Sequence, residues 1–120
     1  MDSSLLGLAW RSHIGDQQTS ISNTNETTIL TPPSTGYADL YLLAIMNRSA
    51  STDTDVTIRD GVGGTVRWKG TVKAGLQAGF ALPPNGALKQ VAIGNSWTAQ
   101  CSVGVSTVEI TVAYVKIPER

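Results

Sequence analysis

The side chains able to do chemistry are few and scattered. Nucleophilic hydrolysis needs a nucleophile with a base and an orienting group in hydrogen-bond reach. The chain has one histidine, His13, in a polar N-terminal stretch, and no Gly-x-Ser-x-Gly turn. A triad on such a stretch would lack rigid support, so His13 reads as a solvent or interface residue. Paired carboxylates for glycoside chemistry would have to come from nine acidic residues. Most of these sit in turn-like stretches: Asp2, Asp16, Asp53, Asp55, Asp60 and Glu119. Asp39 opens an apolar run, and Glu109 alternates against apolar neighbours and should face outward. Asp53, Asp55 and Asp60 lack the central glycine and terminal glutamate of a calcium loop; they suit turns, through side-chain to backbone hydrogen bonds. Cys101 is the single cysteine, which excludes an internal disulfide and a multi-cysteine zinc site. It alternates in phase with Trp97, Ala99 and Val103, as a small buried hydrophobe does. Gly61-Val62-Gly63-Gly64 joins strand to strand, so no helix N-terminus awaits a phosphate there. The expectation is a protein that is not an enzyme, with no catalytic residue, cofactor or metal.

The aromatic residues and the charges point the same way. Trp68 and Trp97 are in phase with core positions, while Trp10, Tyr37, Tyr41 and Tyr114 are left for a flank or an interface. Arg59, Arg67, Lys69 and Lys73 share the wet parity of two strands and form a solvated face rather than a nucleic-acid strip. Nine basic and nine acidic residues give no net charge, and only 15% of residues are charged. A nucleic-acid partner is not expected from that balance. Low charge with abundant Thr, Ser, Gly and Ala suits β-surfaces and surfaces covered by other subunits. No run approaches the roughly 18 apolar residues of a membrane span, so no membrane partner is expected. The LLGLAW patch is too short for a signal h-region and follows Asp2, not a basic cluster.

The elements that must position these groups read as strands. At 120 residues one domain is expected. Residues 56–72, VTIRDGVGGTVRWKGTV, are a hairpin: Val56 and Ile58 precede a glycine-rich turn, and Val66, Trp68 and Val72 follow it on the same parity. Residues 1–24 have a different texture, an apolar patch followed by RSHIGDQQTSISNTN with neither period. They are expected to be an extended arm, with Leu5, Leu6, Leu8 and Trp10 docking on a neighbour. The run LYLLAIM at 40–46 is apolar on both parities, so Leu40, Leu42 and Ile45 are the other partner-contact candidates. In the last strand Val108, Ile110, Val112 and Tyr114 give way to Val115 and Ile117, predicting a bulge or a second buried face near 113–115. The whole gives roughly seven or eight short strands with frequent turn signals and no amphipathic helix. The expected fold is all-β: an antiparallel β-sandwich of jelly-roll or Greek-key type over 25–118, with an extended N-terminal arm over 1–24.

The stretch VTIRDGVGGTVRWKG, followed by GFALPP and closed by a Val/Ile-rich strand ending in YVKIP, resembles small β-sandwich structural proteins of tailed bacteriophages. The similarity spans roughly residues 38–117 and rests on turn and core patterns. It implies a non-enzymatic virion structural protein of the capsid decoration (cement) type. Such a protein forms a homotrimer, binds the major capsid protein on the head surface after assembly in the host cytoplasm, and uses its arm to tie capsomers together. The alternative is a tail or fibre-associated phage module that binds glycan, whose mark would be an exposed aromatic platform.

Overall fold

The computed structural model describes residues 14–33, 35–83, 86–104 and 107–118. Eight strands follow in order: β1 (Ile14–Ile21), β2 (Thr27–Leu30), β3 (Tyr37–Asn47), β4 (Thr54–Asp60), β5 (Thr65–Val72), β6 (Gln77–Ala81), β7 (Trp97–Cys101) and β8 (Val108–Ile117). They form two four-stranded antiparallel sheets, ordered β1-β8-β3-β6 and β2-β7-β4-β5. The protein is thus an all-β antiparallel sandwich. The chain passes from one sheet to the other at every connection except the β4–β5 hairpin.

The core lies between the sheets and follows the period-two rule for strands with one buried face. Val56 and Ile58 from β4, Ala99 and Cys101 from β7, and Val108, Ile110 and Val112 from β8 are all buried in it. Trp97 fills the most volume there. Asn47, also fully buried, donates its side-chain amide to the Thr52 and Val72 carbonyls at 2.8 and 3.0 Å and accepts the Ser49 N–H at 2.9 Å. All its polar atoms are thereby spent on holding the 48–53 turn, as a buried amide requires.

Three register shifts explain where simple alternation fails. In β5, Ile58 faces Trp68 but Arg59 faces Val66, so Arg67 is an extra residue. The slip turns Val66 onto the same face as Arg59, and it is 47% exposed rather than in the core. In β3, Leu40 faces Tyr114 and Leu42 faces Ala113, so Tyr41 is the extra residue. The slip lets β3 bury Ala38 and Leu40 before it, and Leu43 and Ile45 after it, on the inner side. Ala113 and Val115 of β8 are buried on the opposite parity, where a second buried face was expected. In β2 the shift falls between Thr28 and Leu30, and Ile29 and Leu30 are both buried.

The sandwich begins earlier than the sequence suggested. Ile14–Ile21, expected to belong to the arm, pair with β8 in unbroken register. GDQQTS shows no apolar alternation because β1 lies at the rim, where inner positions need not be apolar. Gln17 and Thr19 are half-buried there, and the Gln17 Oε1 accepts the Thr31 N–H at 3.2 Å. Ile21 reaches the core. Residues 1–13, with Leu5, Leu6, Leu8, Trp10 and His13, lie outside the described residues.

Candidate functional site

The three strand residues expected to meet a partner do not act together. Leu40 and Ile45 are 0% and 1% exposed in the chain's own core, because the Tyr41 bulge sends both inward. That corrects their assignment as partner contacts. Leu42 alone remains half-buried on the outer face of its sheet, between Ala81 and Ala113. The run is apolar on both parities because one bulge splits a single buried face between them.

Among the described residues, three of the exposed large apolar side chains sit on the β4–β5 turn and on residues 86–96. Val62, Val91 and Ile93 are 75%, 70% and 53% exposed. They are held together by polar groups beneath them. Asp60, at the end of β4, is almost wholly buried and accepts the Val91 N–H at 2.7 Å and the Asn95 side-chain amide at 3.1 Å. Arg67 places one guanidinium nitrogen 3.6 Å from the same carboxylate and donates to the Lys89 carbonyl at 2.6 Å. Its guanidinium also sits 6.0 Å from the Trp97 ring centroid, in cation–π range. The Gly61 N–H donates to the Ser96 carbonyl at 2.8 Å, fastening the hairpin turn to the same segment. Sequence reasoning placed Asp60 in its own turn; its hydrogen-bond donors Val91 and Asn95 instead lie more than thirty positions away, beyond any local signal.

The 86–96 segment also completes the edge of β3. Leu40 exchanges both backbone hydrogen bonds with Leu88, at 3.0 and 2.7 Å. One step further along, side chains replace a strand: the Ala38 N–H donates to Gln90 Oε1 at 2.9 Å and the Ala38 carbonyl accepts the Trp97 indole N–H at 2.7 Å. Gln90 spends its amide group on the Asn95 carbonyl at 2.6 Å, and its own N–H donates to Asp39 at 2.9 Å. Buried polar groups are thus paired, and the loop is fixed rather than loose.

A second surface is the outer face of the β2-β7-β4-β5 sheet, where an open groove of about 320 Å³ is lined by Thr24, Asp55, Thr57, Lys69, Gln100 and Ser102. Two of its side chains are held by neighbours: Arg59 donates to Gln100 at 2.9 Å, and the Thr71 hydroxyl to Asp55 at 2.6 Å. Beside it, Glu26 accepts the Thr98 hydroxyl at 2.6 Å and the Gly63 N–H at 2.9 Å. Those two bonds, with Arg59 nearby, hold its carboxyl below the usual carboxylate range against a smaller opposing effect of burial. Glu26 was missed from the sequence, where nothing local marks it. Burial pushes the Cys101 thiol above its ordinary range, the opposite of an activated nucleophile. Among the described residues no three His, Cys, Asp or Glu side chains converge to hold a metal, and no helix is long and apolar enough to cross a membrane.

What the geometry defines is a β-sandwich whose polar groups tie loops to sheets. No family model matches the chain, and no curated protein matches it. Among solved structures it is similar to a chain from work titled "Bacillus endospore appendages form a novel family of disulfide-linked pili". That likeness has 17% identity and a TM-score of 0.50, over 88% of this chain and 90% of that one. It is also similar to a chain in the crystal structure of PirA, with 11% identity and a TM-score of 0.48 over 82% and 92% of the two chains. The first likeness supports the sandwich fold.

Proposed function

We propose that this chain is a non-enzymatic structural protein that self-assembles and acts as a capsid decoration (cement) protein on the head of a tailed bacteriophage. The observation that carries the reading is the rigid apolar end. Val62, Val91 and Ile93 are exposed, yet each lies on a segment tied down through Asp60, Arg67 or Gly61. Apolar side chains fixed in place at the surface cost little further ordering on binding and mark an interaction patch. In this reading the end seats on the major capsid protein, and the apolar patch at residues 5–10 is a second contact, made by the segment that precedes β1. The virion surface is the proposed location.

Imaging of intact particles carrying labelled protein tests this, and label on the head surface is expected. Val91→Asp with Ile93→Asp should abolish attachment while leaving the melting temperature unchanged, since both side chains are exposed. Label on the tail would overturn the decoration reading. A truncation ending before Ile14 should leave the sandwich folded and weaken attachment; full attachment without residues 1–13 would sink the arm contact. The fibre reading with glycan binding gains no support from the described residues, among which no tryptophan or tyrosine is exposed.

A further inference from the structure

Each sheet ends in two edge strands, β1 and β6 in one, β2 and β5 in the other. An edge strand offers unpaired N–H and C=O groups to any strand that approaches, and proteins usually blunt it. Three of these edges are blunted. β5 carries the Arg67 bulge and the cationic Arg67 and Lys69. β6 has five residues and a central Gly79 at φ +135°, outside the backbone region of a regular strand. β2 has four residues, contains a register shift and runs into Thr31-Pro32-Pro33. β1 has none of these devices: IGDQQTSI contains no proline, lysine or arginine, and its register against β8 is continuous from Ile14 to Ile21.

The ladder shows which β1 groups are offered. Leu40 turns its N–H and C=O to Leu88, away from β8. By antiparallel alternation its neighbour Tyr114 then turns its own groups to Gly15 on the other side. Asn47 gives the same answer, since it bonds Leu76 and leaves Val108 to face Ile21. The odd residues of β1 therefore bond β8, and Ile14, Asp16, Gln18 and Ser20 direct their backbone groups outward. Among the described residues no hydrogen bond reaches those groups.

We infer that two copies of this chain pair through this edge, β1 antiparallel to the β1 of the second copy, about a two-fold axis perpendicular to the sheet. Such an axis keeps both inner faces on the same side, so residues of equal parity oppose one another. With the axis at Gln17, the four outward residues of each copy exchange about eight backbone hydrogen bonds. Asp16 then lies opposite Gln18 of the second copy, twice by symmetry, and its carboxylate accepts from that side-chain amide. No aspartate opposes an aspartate. Both side chains are exposed on the outer face, so they are free to meet. The inference deepens the self-assembly reading and rests on it only in requiring that copies meet; its isologous two-fold pair differs from the three-fold ring that the phage resemblance implies.

Sedimentation equilibrium on the full chain tests it. The expected species is a concentration-dependent dimer of twice the 12.7 kDa chain. Gln18→Asp sets like charges directly opposite and should raise the dimer Kd by about tenfold or more. Asp16→Lys added to Gln18→Asp should restore pairing, which only this register predicts. Gln18→Pro removes an outward N–H and no bond to β8, a substitution edge strands tolerate, and should give a folded monomer. In hydrogen exchange, Asp16, Gln18 and Ser20 amides should gain protection as concentration rises. A trimer, or a dimer indifferent to Gln18→Asp, leaves self-assembly standing and overturns the β1 pairing. A wild-type monomer at all concentrations overturns both.

Discussion

Gln90→Leu tests whether side chains substitute for a missing strand at the edge of β3. The replacement is similar in size and apolar, and the site is 2% exposed, so neither bulk nor solvent access changes much. What is lost is the acceptor of the Ala38 N–H and the donor to the Asn95 carbonyl. Ala38 is fully buried, so its orphaned N–H bears the full desolvation cost of about 1–3 kcal/mol. The Asn95 carbonyl, in a half-buried residue, loses about half as much by the same reasoning, and the apolar leucine returns about 1 kcal/mol by burial. The net expectation is a loss of about 2 kcal/mol, or a drop in Tm of about 10 °C for a domain of this size. Urea unfolding followed by tryptophan fluorescence measures it, because Trp97 is wholly buried and donates to the same Ala38. The slope of free energy against urea should hold while the midpoint falls, and hydrogen exchange should show the Ala38 amide opening. A loss below about 0.5 kcal/mol, with that amide still protected, would refute the claim.

Glu26 makes stability depend on acid. Its folded-state pKa is lowered, so its contribution is present above the unfolded value and is lost as pH falls through the folded one. Urea midpoints should therefore decline from about pH 5 downward, and Glu26→Gln should flatten that limb. The β5 bulge predicts contrasting costs: Val66→Thr should fall within about 0.5 kcal/mol of wild type, whereas Ile58→Ala, in the core, should cost about 2–5 kcal/mol in the same assay. Cys101, 2% exposed with a raised thiol pKa, should resist a disulfide reagent in the folded protein and react once urea unfolds it. Gly79→Ala places a Cβ against the Leu43 carbonyl at a positive φ and should lower the urea midpoint sharply.

Alternation made the sandwich legible in the central strands β4 and β8. Val56, Ile58, Val108, Ile110 and Val112 are buried as their parity required. It failed where register slips. Val66 was misplaced because Arg67 adds a residue that hydropathy does not mark, and Leu40 and Ile45 looked two-sided because Tyr41 does the same in β3. β1 was hidden because a rim strand can be polar on both faces and still pair fully. The exposed apolar end was illegible for another reason. Val91 and Ile93 look like core residues in sequence, and bonds reaching across long separations, such as those of Asp60 and Gln90, fix the segment carrying them at the surface.

The strand order also bears on how the chain emerges during synthesis. β8 lies between β1 and β3, and β7 between β2 and β4, so both sheets wait for the strands made last of the eight. Only the β4–β5 hairpin can close from neighbouring sequence. Until β8 arrives, the apolar run of β3 has no central partner, and pairings of such high sequence separation are slow to form. A nascent chain stalled before residue 108 would present that strand to whatever holds unfolded polypeptide in the cell. A C-terminal truncation as short as the last strand should therefore cost solubility before it costs anything else.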